Sequence, residues 1–124
     1  MLTCSRNGDD LAKRLEEWNS LDLLVEGVVA DVSSSEGRAL LKQEVESRFG
    51  NSLDILVNNV GTNIRKPTTE YTDEDLESLM STNLYSMFEL TKQFYPCLKR
   101  LSDGEPASSV VNIGSVAGVT CMKR

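Results

Sequence analysis

Asp54-Ile55-Leu56-Val57-Asn58-Asn59-Val60-Gly61 is the stretch on which the reading of this chain turns. From Leu53 to Val57 it is short, apolar and β-branched, the composition of a buried strand. Two asparagines and a glycine then break the pattern abruptly. A strand that stops on such residues hands its carboxyl end to a turn.

The same grammar recurs on both sides. Upstream, Met1 to Ser5 reads as a short strand and Leu23 to Ala30 as a nearly continuous apolar one. Downstream, Ser109 to Ile113 is a strand followed by Gly114-Ser115. Helical periodicity fills the intervals. Leu11, Leu15 and Trp18 make one stripe between Asp9 and Trp18. Ser33 with Glu36 reads as a capping box opening a helix that carries Leu41, Val45 and Phe49 and ends near Gly50. Thr72 with Asp75 marks another helix start. Asn83 sits at a junction and reads as the N-cap of the longest helix, Leu84 to Leu101. That helix has two adjacent apolar faces, one with Leu84, Phe88, Tyr95 and Leu98, the other with Met87, Leu90, Phe94 and Leu101. The width of the stripe predicts burial on more than one side. Pro96 is expected to bend it. A polar loop follows from Ser102.

Strands alternating with helices, and no hairpin signal, predict a parallel sheet with crossover helices in a single α/β domain spanning 1–124. Ligands of open parallel sheets bind beyond the carboxyl ends of the strands. The residues there are Ser5 and Arg6, Asp31, Asn58 to Gly61, and Ser115. Each has a plain structural reading as well. Arg6 alone is a solvated cation, Asp31 a turn residue, Asn58 and Asn59 strand-end turn formers, Gly61 a turn glycine and Ser115 a loop serine.

Composition narrows the chemistry. Net charge is −6 over 124 residues with no basic run, which argues against nucleic acid. No apolar run is long enough to span a bilayer. The three cysteines, Cys4, Cys97 and Cys121, are odd in number and form no CxxC pair. A disulfide framework or a metal site is therefore not expected, and a reducing compartment, most simply the cytosol, is. Histidine is absent, so no mechanism here uses an imidazole base.

Asp54 to Gly61 resembles the D-x-L-V-N-N-A-G block of short-chain dehydrogenases/reductases. Asn83 follows about two dozen residues later, where that family keeps its active-site asparagine. Val111-Asn112-Ile113-Gly114-Ser115 matches the strand that delivers the catalytic serine. Asp31-Val32 falls where the family touches adenine. The wording of Thr3 to Asn7 and of Asn58 to Thr68 is most similar to the plant tropinone-reductase-like branch.

The resemblance implies an incomplete Rossmann-type fold. The family opens on a strand with a T-G-x-x-x-G-I-G loop that cradles a pyrophosphate, and Met1 to Ser5 matches its second strand instead. The family's sheet order resembles 3-2-1-4-5. The first two strands here should therefore either stand apart from the last two across a gap or close on them. The resemblance also implies an NADP cofactor, with Arg6 on its 2′-phosphate and Ser5 beside it. Asp31, Val32, Asn58, Asn59 and Gly61 would bind the rest of the nucleotide. The implied substrate is a small ketone or secondary alcohol, with Ser115 on its oxygen and Asn83 holding a proton relay. The family's Y-x-x-x-K pair should follow the serine by about a dozen residues, but the 124-residue sequence ends before that point, so catalysis by this chain alone is not expected. The alternatives are an interaction protein that docks on a complete relative through Leu84–Leu101, forming a homo- or hetero-oligomer, or an incomplete gene product.

Overall fold

The structure, a computed structural model, describes residues 1–50, 52–99 and 107–118. The expected readings at Leu101, at the loop from Ser102 to Pro106 and at Cys121 lie outside these residues.

Among the described residues four short strands alternate with helices. They are β1 (Leu2–Ser5), α1 (Gly8–Ser20), β2 (Glu26–Val29), α2 (Ser35–Phe49), β3 (Ile55–Asn58), α3 (Asp73–Met80), α4 (Ser86–Leu98) and β4 (Ser109–Asn112). β1 pairs in parallel with β2, Leu2 opposite Glu26 and Ser5 opposite Val29. β3 pairs in parallel with β4, Ile55 opposite Ser109 and Asn58 opposite Asn112. The α/β class with parallel strands and crossover helices is as expected. β2 is shorter than its apolar run, because Leu23 and Leu24 precede it and are exposed.

Local chemistry sets the helix starts. The Asn7 side chain accepts the N–H groups of Asp9 and Asp10, and those two carboxylates face the positive end of α1. Thr72 and Asp75 form both halves of a capping box on α3. The expected cap of α2 is corrected by one residue. Ser34, not Ser33, is the N-cap and accepts the Gly37 N–H at 3.0 Å. Ser33 is unavailable because its N–H and hydroxyl both bond to Asp31.

The expected N-cap at Asn83 is also corrected. α3 does not stop there; it runs through a π-helical turn, Ser81–Tyr85, directly into α4. Asn83 lies inside that turn, where its own backbone is helical and no fresh helix start needs a cap. Pro96 lies inside α4, which ends at Leu98.

One core holds the parts together. Val28, Ala30 and Val32 from β2 and its exit, Leu41 and Val45 from α2, and Leu90, Phe94 and Leu98 from α4 are all buried in it. Leu2, Cys4 and Leu56 pack against it from β1 and β3. Thus α2 and α4 cover the same face of both strand pairs. α1 covers the opposite face of β1 and β2, and a Cβ at Gly27 would lie 2.8 Å from Leu15 Cδ1, so any larger residue there would push the Leu15 and Leu11 side chains aside. Among the described residues no helix covers the opposite face of β3 and β4, and Ile55, Val57, Val111 and Ile113 are exposed. The expected two-sided burial of α4 is likewise not met. Leu90 and Phe94 of one face are buried, and of the other face only Leu98 is, while Phe88 and Tyr95, with Leu84 of the π turn, are exposed.

The sheet keeps its gap. Among the described residues the strands form two two-stranded sheets, β1-β2 and β3-β4, and β1 does not pair with β3. Between them lies a cleft of about 770 Å³ lined by β1, β3, α2 and α4. Phe49 lines it and is 40% exposed as a result, although it continues the Leu41 and Val45 face.

A central strand buries about five apolar side chains at about 1.5–3 kcal/mol each, of order 10 kcal/mol in all. That is comparable with a domain's whole net stability, about 5–15 kcal/mol. The 124-residue chain alone is therefore expected to bind hydrophobic dyes and to melt without a sharp transition. A steep, reversible calorimetric transition with dispersed amide NMR signals would show this accounting to be wrong.

Candidate functional site

The carboxyl ends of three strands converge on one small pocket. β1 delivers Ser5 and Arg6, with Arg6 exposed and the Ser5 hydroxyl accepting the Asn7 N–H at 3.1 Å. The chain then enters α1, so Arg6 sits between a strand end and a helix start.

β2 delivers Asp31 and Val32. Asp31 Oδ1 accepts the Ser33 N–H at 2.9 Å and the Ser33 hydroxyl at 2.7 Å. Its carbonyl accepts the Ser34 hydroxyl at 3.0 Å. Arg38 donates to the carbonyls of Val32 and Ser33. A Cβ at Gly37 would stand 2.0 Å from the Asp31 carbonyl oxygen, so the absence of a side chain lets α2 start directly against this turn. The hydrogen bonds from the Ser33 hydroxyl and amide hold the Asp31 carboxyl below the usual Asp range, and the charge of Arg6 adds to the effect. Asp31 is therefore an anion at neutral pH, poised to accept a hydrogen bond.

β3 delivers Val60, Gly61 and Thr62. The Thr62 backbone is gripped at both ends by Asn83, whose Oδ1 accepts the Thr62 N–H at 2.7 Å and whose Nδ2 donates to the Thr62 carbonyl at 2.9 Å. The π turn thus aims an amide side chain across at the loop that leaves β3. A π turn inside a helix frequently marks a functional position.

The pocket, about 210 Å³, is lined by Ser5, Arg6, Asp31, Val32 and Gly61 of the expected residues. Val60, Thr62 and Thr82 also line it. The two threonines carry no signal of their own in the sequence, although each adjoins a residue that does. Asn83 itself does not line the pocket but lies against Gly61 and grips Thr62, which do. Asn58 and Asn59 line the larger cleft instead. Asn58 is buried, and its Nδ2 donates to Thr91 Oγ1 at 3.1 Å and to Asn112 Oδ1 at 2.9 Å, tying β3 to α4 and β4. Ser115 lies past the end of β4, exposed, its hydroxyl accepting the Ala117 N–H at 3.1 Å. A Tyr-x-x-x-Lys spacing does occur at Tyr95 and Lys99, but before Ser115 in the chain and at the far end of α4. That helix of 13 residues carries it roughly 20 Å along its axis from the π turn.

The Arg6 guanidinium, the Ser5 hydroxyl, the Asp31 carboxylate and the half-exposed Val60 lining one pocket suit an adenosine bearing a phosphate. The anion would take charge-assisted bonds from Arg6, the carboxylate would accept from an amine, and Val60 would pack on a ring. The volume falls short of a whole drug-sized site, about 300–1,000 Å³, so this donor set fits one end of a dinucleotide. Among the described residues no cluster of Cys, Asp or Glu is arranged to hold a metal, and no helix is long and apolar enough to cross a membrane.

A parallel α/β fold with its pocket at the strands' carboxyl ends defines the class, and comparison with known proteins gives the family. The family model for short chain dehydrogenases matches residues 1–124. A tropinone reductase homolog of Arabidopsis thaliana is 47% identical over 117 residues, 94% of this chain and 43% of that protein. Another from the same plant, described as chloroplastic, is 46% identical over 98% of this chain and 36% of its own length. Among solved structures, the RhlG/NADP active-site complex of Pseudomonas aeruginosa superposes with a TM-score of 0.84 at 32% identity, covering 99% of this chain and 47% of that one. An actinorhodin polyketide ketoreductase with NADPH gives 0.84 at 30% identity, covering 98% and 45%. The chain belongs to the short-chain dehydrogenase family, has a partial Rossmann-type fold, and spans about two-fifths of the length of the curated relatives it matches.

Two outcomes test the site's construction. Asn83→Ala removes two hydrogen bonds at about 1 kcal/mol each, so Thr62 amide exchange should accelerate about thirtyfold; an unchanged rate would mean the clamp carries no load. Ser33→Ala should raise the Asp31 pKa, read by carboxyl NMR titration. Because the folded value is depressed, the turn's contribution to stability is present above the unfolded Asp pKa, about 3.9, and is lost as pH falls through the folded value. A titration curve that Ser33→Ala leaves in place would disprove the assignment.

Proposed function

We propose that residues 1–124 are part of the dinucleotide-binding domain of an NADP-dependent oxidoreductase that interconverts a small ketone and a secondary alcohol. The observation that carries this reading is the convergence of Ser5, Arg6 and Asp31 at one pocket beyond the ends of β1 and β2. Arg6 and Ser5 bind the 2′-phosphate, and an acid at that position would repel it. Asp31 accepts from the adenine amine, and Val32, next to it in the chain, forms part of the same pocket's lining. Gly61 lets the backbone approach the nucleotide closely, and Asn58 and Asn59 border it from the end of β3. When bound, the reduced cofactor supplies hydride to the carbonyl carbon.

Ser115 donates a hydrogen bond to the substrate oxygen, and Asn83 orders the loop at Thr62 while holding the proton relay. NADP or NADPH in the names of solved structures 32% and 30% identical to this chain supports the choice of cofactor. The tropinone reductase homologs support the substrate class. Cys4 and Cys97 are free thiols, which favours the cytosol or another reducing compartment.

No Tyr-x-x-x-Lys pair follows Ser115 in the 124 residues. A positioned general acid is worth about 10²–10⁴-fold, so the chain by itself is inactive in this reading. The exposed Leu84 of the π turn and Phe88 and Tyr95 of α4 favour a second reading in which the chain docks through this helical segment on a complete relative. Co-purification with such a relative, lost on Phe88→Asp, distinguishes it.

The cofactor reading is tested by titrating the chain with adenosine 2′-phosphate and with adenosine. The phosphorylated ligand should bind about tenfold more tightly or better, as expected for a charge-assisted contact of about 1.5–3 kcal/mol. Arg6→Asp should abolish the difference; a preference that survives it removes Arg6 from the phosphate site. Assays with NADPH and a panel of small ketones should show no turnover. Saturable reduction that disappears in Ser115→Ala would overturn the claim of inactivity.

A further inference from the structure

The turn that carries Asp31 is held by the start of α2. The Asp31 carbonyl accepts the Ser34 N–H at 3.2 Å and the Ser34 hydroxyl at 3.0 Å. The next two carbonyls, of Val32 and Ser33, both accept from Arg38 Nη1, at 2.8 and 2.9 Å. Three consecutive carbonyls are therefore taken, and one arginine nitrogen takes two of them. The Asp31 carboxylate itself is bonded through Oδ1 alone, to the Ser33 N–H and hydroxyl. Among the described residues no hydrogen bond reaches its Oδ2, which leaves one acceptor for a ligand in the pocket that Asp31 lines.

Arg38 is an unfavourable residue for a helix start. It stands in the first turn of α2, whose positive end disfavours a cation. Its Nε is buried and, among the described residues, has no hydrogen-bond partner, a state rare in native proteins. Ser34 already caps the helix. What the arginine adds is a grip on one peptide plane. The Val32 carbonyl and the Ser33 N–H belong to the same planar unit. Holding the first fixes the direction of the second, and the Ser33 N–H is what holds Asp31 Oδ1.

We propose that Arg38 is a positioning residue for nucleobase selection: it orients the Val32–Ser33 peptide, and through it the Asp31 carboxylate, so that Oδ2 accepts only a base with an amine at that edge. The proposal rests on the cofactor reading above and divides its labour. Arg6 and Ser5 read the phosphate. Arg38, which does not line the pocket, acts on the base through Asp31. A carboxylate fixed opposite an oxo group sets acceptor against acceptor with no proton between them, so a 6-oxopurine is rejected. A carboxylate free to swing would lose that discrimination while the phosphate contact stayed.

The test titrates the 124-residue chain with adenosine, inosine and adenosine 2′-phosphate, as wild type, Arg38→Met and Arg38→Lys. Amide exchange at Ser33 is followed in each without nucleotide. The wild type should prefer adenosine to inosine about tenfold or more. Arg38→Met should cut that ratio to about twofold or less and speed Ser33 exchange about tenfold, while the preference for adenosine 2′-phosphate over adenosine is kept. Arg38→Lys, whose ammonium supplies donors without the guanidinium's reach, should lie between. In both variants base preference and Ser33 protection should fall together, so the lysine variant suffices if Arg38→Met does not fold. A full adenosine preference with Ser33 unprotected, a Ser33 amide as protected in Arg38→Met as in the wild type, or an equal loss of the phosphate preference, the mark of a merely structural role, would each overturn the proposal. A wild type that does not tell adenosine from inosine removes Asp31 from the base and overturns both this proposal and that part of the cofactor reading, whereas a discriminating wild type with an indifferent Arg38→Met overturns this proposal alone.

Discussion

The packing of α4 against α2 and the strands is the contact on which the rest depends. Phe94 is 1% exposed and Val32 is 2% exposed, and both belong to the cluster that spans the two strand pairs. Without backbone pairing between β1 and β3, side-chain burial alone holds the halves in register. Burial is non-directional, so the precision must come from shape. Leu90, Phe94 and Leu98 recur at intervals of four along one helix, against Leu41 and Val45 at the same interval along another. Such rows interdigitate only at particular crossing angles. The pocket inherits its geometry from this fit, since the ends of β1 and β2 come from one side and Gly61 and Thr62 from the other.

At the pocket itself, polar groups are held by short-range backbone chemistry. Asp31 is fixed by the residue two places along, and the Ser5 hydroxyl accepts a bond from the backbone of Asn7. The exception is Asn83, which spans 21 residues of sequence to grip Thr62. Local turns make a site cheaply, because each costs the ordering of few residues. A long-range clamp is needed only where a loop lacks regular structure, as after β3.

Much of the fold is legible because short β-branched runs and four-residue apolar spacing seldom arise except on buried strands and helix faces. Leu53 to Val57 and the Leu41 and Val45 stripe are cases in point. The cap at Ser34 lies one residue from the expected Ser33 because two adjacent serines compete, and only the backbone path decides which hydroxyl Asp31 captures. Asn83 resembles a cap because helix-start chemistry and a π turn both tolerate asparagine, and no periodicity signal separates them over five residues. The two faces of α4 read alike in sequence, since hydrophobicity records what a surface could bury and not whether a partner is there. Asn58 is legible as a strand-end asparagine, but its contacts with Thr91 and Asn112 lie 33 and 54 residues away and depend on tertiary placement.

The π turn at Ser81–Tyr85 bears on how lengths can vary in this segment. A turn of i→i+5 bonding holds one residue more than an α turn, and each residue along a helix rotates the face by about 100°. Removing a single residue there would regularise the helix and leave Leu90, Phe94 and Leu98 in register, because the wider turn has already absorbed the extra residue. A one-residue deletion at the bulge carrying Asn83 is thereby tolerated by the core, whereas the same deletion in the regular turns of α4 would rotate the buried face away from it. When family members are aligned through this stretch, a lone gap next to the asparagine marks the loss or gain of the bulge and not a change in the packing beneath it.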